Sequence, residues 1–328
     1  MRCEYRNVER LACEATERGL AKLGIQASRQ RIMEYCENRL ANSRRVFLTT
    51  DSEPAVGAVD VHVLEFDSGL YGRTVGSLGL FAIDGSLSAG GRLSVARELA
   101  QQALIHAAAT RIEMLSCRIP ASEMFWVHAL EEVGFRVMDV QCPLVRRSGS
   151  GMIAASATPP ADFRFRNAVL ADVPEIITIG RTAFKRSHLY ADARLSVERT
   201  NALYEQWMRN DCTGRAMFVV VAEMNERVGG FLAGVWDFTQ DSMLAVRRGH
   251  IDLIAVHDCY RGRGVGGALV TEGLRRFTDR GAEIVTVSTQ ATNLNAIHLY
   301  QRCGFLPAEC EITMHGWSDC CRFPASGH

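Results

Sequence analysis

The sequence predicts an α/β chain made of two related halves, of which the second carries the full set of candidate ligand-binding residues. Three observations predict this. Strand and helix signals alternate through the second half. A glycine-rich turn there, Arg261-Gly262-Arg263-Gly264-Val265-Gly266-Gly267, joins an apolar strand to a helix. A Gly-Phe pair also recurs, as Gly134-Phe135 and Gly304-Phe305, each time closing a short helix and opening a strand, at an offset of 304 − 134 = 170. At that offset Ser122 matches Thr292, His128 matches His298 and Arg97 falls on Gly267, so turn and Gly-Phe are equally spaced in both halves. Independent landmarks that agree on one offset indicate an internal duplication.

Each element follows from its local signals. Helical stretches are expected at 8–23 and 27–40, then strands at 46–50 and 55–65. Residues 148–161 are small and uncharged and read as a linker. The chain therefore divides into a first half (1–147) and a second half (162–328). In the second half, 163–168 reads as a strand. Asp172, with Pro174 in the first turn, opens a helix to about Phe184. A further helix spans 196–211. Strands at 217–223 and 227–237 flank Asn225-Glu226, a hairpin turn. A strand at 250–256 leads into the glycine turn. The next helix, 264–280, places Val265, Leu269, Gly273, Leu274 and Phe277 at helical spacing. A strand at 283–289, a helix at 294–302 and a strand at 305–314 complete the half.

Composition narrows the function classes. At 328 residues and 47% hydrophobic, the chain can bury two cores. Net charge is zero and the pI about 7.1, so no global field favours nucleic acid or membrane. No apolar run approaches the roughly 18 residues of a membrane span. Met1-Arg2-Cys3-Glu4 is not the start of a signal peptide. The 11 cysteines are odd in number, scattered and without a C-x-x-C pair, which fits a reducing cytoplasm. Cys303, Cys310, His315, Cys320 and Cys321 match no zinc template, so no metal is expected.

Two constellations carry chemistry. In the glycine turn, the backbone can bend tightly and approach a ligand. The free N–H groups at a helix start suit a pyrophosphate, and Arg261 and Arg263 add charge. The turn lacks the G-x-G-x-x-G context of a dinucleotide fold and the Gly-Lys-Ser/Thr of a P-loop. Taken alone, it is also compatible with a tight strand-to-helix turn that binds nothing. The second constellation is Asn293-Leu294-Asn295-Ala296-Ile297-His298-Leu299-Tyr300, followed by Gly304-Phe305. Asn293 and Tyr300 lie two turns apart on one helix face. Alone, they are equally a helix cap and a half-buried core aromatic.

Together the two motifs, over residues 162–316, resemble the GNAT superfamily of acyl-CoA-dependent N-acetyltransferases. Its loop pattern Arg/Gln-x-x-Gly-x-Gly/Ala is met by Arg261, Gly264 and Gly266. Its helix pattern is met by Asn293, Ala296, Tyr300, Gly304 and Phe305. The resemblance implies a tandem GNAT fold, with a degenerate first half that has an N-terminal helical extension, and a complete second domain. It implies acetyl-CoA, or another short acyl-CoA, as co-substrate. The pantetheine arm would lie along Leu253, Ile254, Ala255 and Val256 where that strand splays from 283–289. The backbone of Arg261, Gly262, Arg263, Gly264, Val265, Gly266 and Gly267 would hold the pyrophosphate, with Asn293 and Tyr300 completing the site. A backbone N–H near Ile254–Val256 would polarise the thioester carbonyl and stabilise the oxyanion. Tyr300 would protonate the departing thiolate. Asp252, His250 and Glu223 are candidates to take the amine's proton; each is otherwise an ordinary strand or hairpin polar residue. At the duplication offset, Gly91, Ser94 and Ala96 replace the loop's Arg261, Gly264 and Gly266, Glu123 replaces Asn293 and Leu130 replaces Tyr300. One acyl-CoA site per chain is expected.

A closer resemblance bears on the acceptor. The stretches Leu64-Glu65-Phe66-Asp67-Ser68-Gly69-Leu70-Tyr71-Gly72-Arg73 and Ala183-Phe184-Lys185-Arg186-Ser187-His188-Leu189-Tyr190-Ala191-Asp192, with Leu203-Tyr204-Glu205-Gln206-Trp207, are similar to dTDP-fucosamine acetyltransferases. Leu70 and the helical region before about residue 45 depart from that family. The resemblance implies transfer to the amine of a dTDP-linked amino-dideoxy sugar, with Phe184, His188, Tyr190 and Trp207 as acceptor contacts. Phe184, Tyr204 and Trp207 are also what two ordinary helix faces would bury. Alternative acceptors are a mycothiol precursor, an aminoglycoside or an amino acid. A non-catalytic CoA-binding protein is the reading from another class. A nucleic-acid or membrane partner is not expected; a homodimer is left open.

Overall fold

The structure, a computed structural model, describes residues 2–42, 44–52, 54–148, 161–236 and 243–320. The linker core (149–160), Asp237 at the end of one expected strand, and Cys321 lie outside them. In chain order the elements are α1 (Arg2–Lys22), α2 (Arg29–Leu40), β1 (Arg45–Thr49), β2 (Gly57–Val63), α3 (Glu65–Tyr71), β3 (Val75–Ile83), α4 (Ala89–Ala109), β4 (Met114–Pro120), α5 (Met124–Glu132) and β5 (Arg136–Arg147). Then come β6 (Arg164–Asn167), α6 (Val173–Ala183), α7 (His188–Ala191), α8 (Val197–Asn210), β7 (Phe218–Met224), β8 (Arg227–Trp236), β9 (Arg248–Val256), α9 (Val265–Asp279), β10 (Ile284–Gln290), α10 (Leu294–Arg302), β11 (Leu306–Pro307) and β12 (Glu311–Trp317). Asn225 and Glu226 both have positive φ (50° and 61°), the conformation a two-residue hairpin turn requires.

Two compact units emerge. One holds Met1–Val140, Ala191–Arg194 and Glu309–His328; the other holds Gln141–Tyr190 and Leu195–Ala308. These units do not follow the cuts expected at 147 and 162. The strand expected at 305–314 is two strands. Its start, β11, pairs with Val145 and Leu144 of β5 in the second unit. Its continuation, β12, pairs antiparallel with β4 in the first, Glu311 opposite Pro120 and Trp317 opposite Met114.

Within each unit the sheet repeats one pattern. In the first, β1–β2 and β2–β3 are antiparallel, β3–β4 parallel and β4–β12 antiparallel. In the second, β7–β8 and β8–β9 are antiparallel, β9–β10 parallel and β10–β5 antiparallel, with β6 added beside β7. The parallel pairs end at Leu78–Cys117 and at Ile251–Val287; on the second strand of each, 287 − 117 = 170 matches the sequence offset, while on the first 251 − 78 = 173, three residues more. This is the tandem architecture that the motifs imply. The helical region before residue 45 is part of it: α1 packs on β2 and β3 as α6 packs on β8 and β9. It is a layer of the first unit, not an appendage.

Each sheet is covered on both faces. In the second unit, Val173, Ile176 and Ile177 of α6 and Met208 of α8 pack on Val219, Val221, Phe231, Leu253 and Ala255. On the other face α9 lies so close that glycines are needed beneath it. A Cβ at Gly273 would come 3.0 Å from Leu232, and one at Gly249 would overlap the ring of buried Phe277. The first unit centres on Leu99, Trp126, Leu130 and Phe135, with Gly316 of β12 leaving room for the Phe135 ring.

Candidate active site

The site begins with a strand irregularity. Opposite β8, Gly234 faces Ile251 and Ala233 faces Leu253, so Asp252 is an extra residue, a β-bulge. On its other edge β9 pairs with β10 only as far as Ile251. Beyond that the parallel strands carry no register, while β9 stays bonded to β8 through Val256 opposite Gly230. The backbone of Leu253, Ile254, Ala255 and Val256 thus faces a gap where a neighbour strand would be. A backbone edge left this way needs other partners, which an amide-bearing ligand arm can supply. Leu253 and Ala255 anchor the strand in the core on the α6 and α8 face.

The glycine turn closes one end of this gap. Gly262 and Gly264 have φ of 75° and 82°, which favours glycine. Gly264 is the N-cap of α9 and offers no side-chain cap. Ala268 makes the first bond back, to Gly264 O at 3.1 Å, so the amides of Val265, Gly266 and Gly267 precede the helix's own ladder. Gly266 packs closely: a Cβ would meet Leu299 at 3.3 Å. The two arginines are exposed but partnered. Arg261 Nε donates to Val256 O at 3.2 Å and its terminal nitrogen meets Asp258 at 2.7 Å. Arg263 lies over the Phe163 and Tyr260 rings, 5.9 Å from each, and 3.4 Å from Asp162. Arg261 therefore ties the turn to the end of β9.

The equivalent helix of the first unit is finished differently. Ser88 caps α4, accepting from Gly91 N–H at 3.1 Å. A helix start that satisfies its own amides has less to offer an anion. Leu130, at the Tyr300 position, is fully buried.

On the far side of the gap, Asn293 sits at the N-cap of α10 but does not cap with its side chain; its Nδ2 donates to Thr289 Oγ1 of β10 at 3.1 Å. Tyr300 is only 3% exposed, more buried than a half-buried aromatic, with Phe305 at 5.8 Å between ring centroids. Burial, with Cys303 nearby as a lesser cause, holds its phenol protonated far above the usual range. Among the described residues its hydroxyl has no hydrogen-bond partner.

The three candidate bases are not brought together. His250 Nδ1 lies 2.9 Å from Thr286 Oγ1, within the paired part of β9. Glu223 is two strands away and level with Val228, at the opposite end from His250, which is level with Val235. At about 3.3 Å per residue and about 4.8 Å per strand this puts them roughly 25 Å apart. Glu223 is also engaged by Arg166, which is shared with Asp172 at 2.7 Å. Asp172 opens α6 without capping it: burial works against its charge, but the Arg166 contact outweighs that and holds its carboxyl below the usual range. Asp252 alone stands at the bulge where the strands part.

The acceptor aromatics do assemble. Phe184, Tyr190 and Trp207 each stack on Tyr204, with centroids at 5.6, 5.8 and 5.8 Å and ring planes within 16°. Lys185 lies over Tyr190 and donates, as does Tyr190, to Asn201. His188 is half-buried on the adjoining α7. Trp207 ends the row on Asp252, donating from Nε1 to Oδ2 at 2.7 Å. The sequence reading missed the residues that complete this corner. Arg215 contacts Asp252 directly and lies 2.6 Å from Asp211, which is 3% exposed. Both belong to a π-helical turn after α8 (211–215) that Gly214, at φ 123°, bends back. An Asp-Cys-Thr-Gly-Arg run at a helix end carries no signal of that turn beyond its glycine.

Known proteins resemble this chain in sequence and in fold. A match to the acetyltransferase (GNAT) family covers residues 182–305. The spore coat polysaccharide biosynthesis protein SpsD of Bacillus subtilis is 29% identical over 160 residues, 49% of this chain and 52% of that protein, so about half of its length is spanned. An N-alpha-acetyltransferase of Sulfurisphaera tokodaii is 31% identical over 169 residues, 50% of this chain and 92% of its own. A tandem GNAT protein from the clavulanic acid biosynthesis pathway superposes with a TM-score of 0.54 at 14% identity, covering 89% of this chain and 88% of its own; it shares the fold.

Proposed function

The chain belongs to the acetyltransferase (GNAT) family, and we propose that it transfers a short acyl group from acyl-CoA to the amine of a dTDP-linked amino-dideoxy sugar. The observation that carries the acyl-CoA half of this reading is the uncapped Gly264 helix start beside strands that part after Ile251. Amides at the start of α9 bind the pyrophosphate, and the open edge of β9 takes the pantetheine arm. The amine attacks the thioester carbon directly. A backbone N–H of β9 beyond the bulge holds the oxyanion. When the C–S bond breaks, the Tyr300 hydroxyl gives its proton to sulfur. We assign the amine's proton to Asp252, because Glu223 is neutralised by Arg166 and His250 lies within the paired part of β9.

For the acceptor, support comes from the Tyr204-centred aromatic row, which leads to Asp252, and from the likeness to a polysaccharide biosynthesis protein. Aromatic faces and flanking cations such as Lys185 suit a base-and-phosphate ligand. The capped α4 and buried Leu130 favour a single acyl-CoA site per chain.

The test is CoA release from acetyl-CoA with dTDP-3-amino- and dTDP-4-amino-6-deoxyhexoses, a mycothiol precursor and a peptide N-terminus as acceptors. Turnover confined to the nucleotide sugars is expected. Turnover with the peptide or the mycothiol precursor alone overturns the sugar reading and leaves the acyl-transfer reading standing.

A further inference from the structure

Asp252 is touched by Arg215 and by the indole N–H of Trp207. A second carboxylate joins it there. Asp211 approaches from the π-helical turn and is buried, with the Arg215 ion pair at 2.6 Å as the contact that offsets its charge. A single guanidinium nitrogen of Arg215 serves both carboxylates. One cation thus faces two adjacent anions in a buried corner. Like charges so placed resist ionising together, which raises the affinity of the pair for one shared proton.

We propose that Asp211 shares a proton with Asp252 and is the positioning residue that lets Asp252 take the amine's proton. This rests on the assignment of Asp252 above and adds its partner. Each turnover begins with both carboxylates ionised. The amine nitrogen loses one proton, which comes to rest between Asp211 and Asp252, while its electron pair forms the C–N bond. Tyr300 supplies a separate proton to the thiolate. The pair then returns its proton to solvent past Arg215, whose side chain is 41% exposed, and the Tyr300 phenolate takes one proton back from solvent, which restores the starting state.

The surroundings agree. Burial first, and the Asp252 charge second, raise Asp211 to about 7 against the pull of Arg215. Facing the pair are Arg215 and Cys212 of the same turn, Trp207 of α8 and, beyond Cys212, Asp172 of the α6 start, itself matched by Arg166. Burial, then the Asp211 and Asp172 charges, keep the Cys212 thiol protonated, so it adds no charge of its own.

The experiment needs no acceptor. Trp207 reports on Asp252 through its indole hydrogen bond, so its fluorescence is followed from pH 5 to 9, with Trp207→Phe subtracted to isolate it from the other three tryptophans. A transition near pH 7 is expected. Asp211→Asn should remove it or move it down by more than a unit, and Arg215→Gln should move it up. Opposite shifts in two variants are not what a merely structural role gives. With whichever acceptor turns over, the acidic limb of kcat/KM should move with the fluorescence in each variant. If no Trp207 transition appears in the folded wild type, or if Asp211→Asn leaves it in place, the shared proton is overturned. If the transition behaves as expected but the kcat/KM limb stays fixed, the pair exists and Asp252 is not the base. Failure to find a sugar acceptor touches neither result.

Discussion

Replacing Tyr300 by Phe removes one oxygen and tests the proposed acid directly. The side chain is 3% exposed and its hydroxyl has no partner among the described residues. Deleting a hydroxyl that makes no hydrogen bond forfeits none of the usual 0.5–1.5 kcal/mol, so stability should change by less than about 1 kcal/mol. The ring keeps its contact with Phe305. Acyl-CoA affinity rests on the α9 amides and the open edge of β9, which the substitution leaves alone. Turnover is another matter: losing a positioned general acid costs roughly 10²–10⁴-fold. Because burial keeps the phenol protonated beyond the ordinary range, the wild type should show no alkaline loss of activity from Tyr300 at or below pH 9. The assay is CoA release under saturating acceptor, with acetyl-CoA affinity by calorimetry and stability by urea titration. A 10²-fold drop in kcat at unchanged affinity and stability is expected. Unchanged kcat would refute the role of Tyr300. A loss of acetyl-CoA affinity with kcat unchanged would mean that the hydroxyl binds substrate and does not act in the transition state.

Four further outcomes follow from contacts described above. Gly264→Glu places a side chain and a negative charge at φ 82° in the helix start, and should abolish acetyl-CoA binding in calorimetry while the circular dichroism spectrum stays native. Gly249→Ala forces a methyl into the Phe277 ring and should cost about 1–3 kcal/mol of stability in urea titration. Glu223→Gln loosens its pairing with Arg166 but leaves the bulge intact, so kcat should stay within about threefold while Asp252→Asn lowers it by roughly 10² or more in CoA release. In the first unit, burial opposes the charge of Asp192, yet His315, the Arg194 N–H and Trp317 together hold its carboxyl below the usual range. The stability this gives is present above the unfolded value near 3.9 and is lost as pH falls through the lower folded value, so Asp192→Asn should flatten the acid limb of a stability–pH curve below about pH 4.

The elements of the second half were legible because each has a local signature: the Asn225-Glu226 turn, Pro174 after Asp172, the glycines before α9. The offset of 170 was legible because Gly134 and Gly304 both need positive φ, 103° and 83°, where a helix turns into a strand. The bulge at Asp252 was not, because the sequence there simply alternates, and the extra residue exists only relative to Ala233 and Gly234 opposite. Nor was the break between β11 and β12, since 305–314 is uninterrupted as a strand pattern and its two parts differ only in what they pair with. Individual site residues could be named from motifs; their partnerships could not. Arg261 bends back to Val256, Glu223 is taken by Arg166, and Asp211 meets Asp252 across 41 positions of chain, since 252 − 211 = 41.

The pairing of β12 with β4 has a consequence for how the protein is made. Pro120 leaves the ribosome 191 residues before Glu311, its register partner, since 311 − 120 = 191. At roughly 5–20 residues per second, the edge of β4 waits on the order of ten seconds or more for its last neighbour. An unpaired edge of that length invites pairing with another chain. The first half is therefore a client until β12 has been made. Mutations in β12 should show their effects as aggregation of nascent protein before they show as loss of activity.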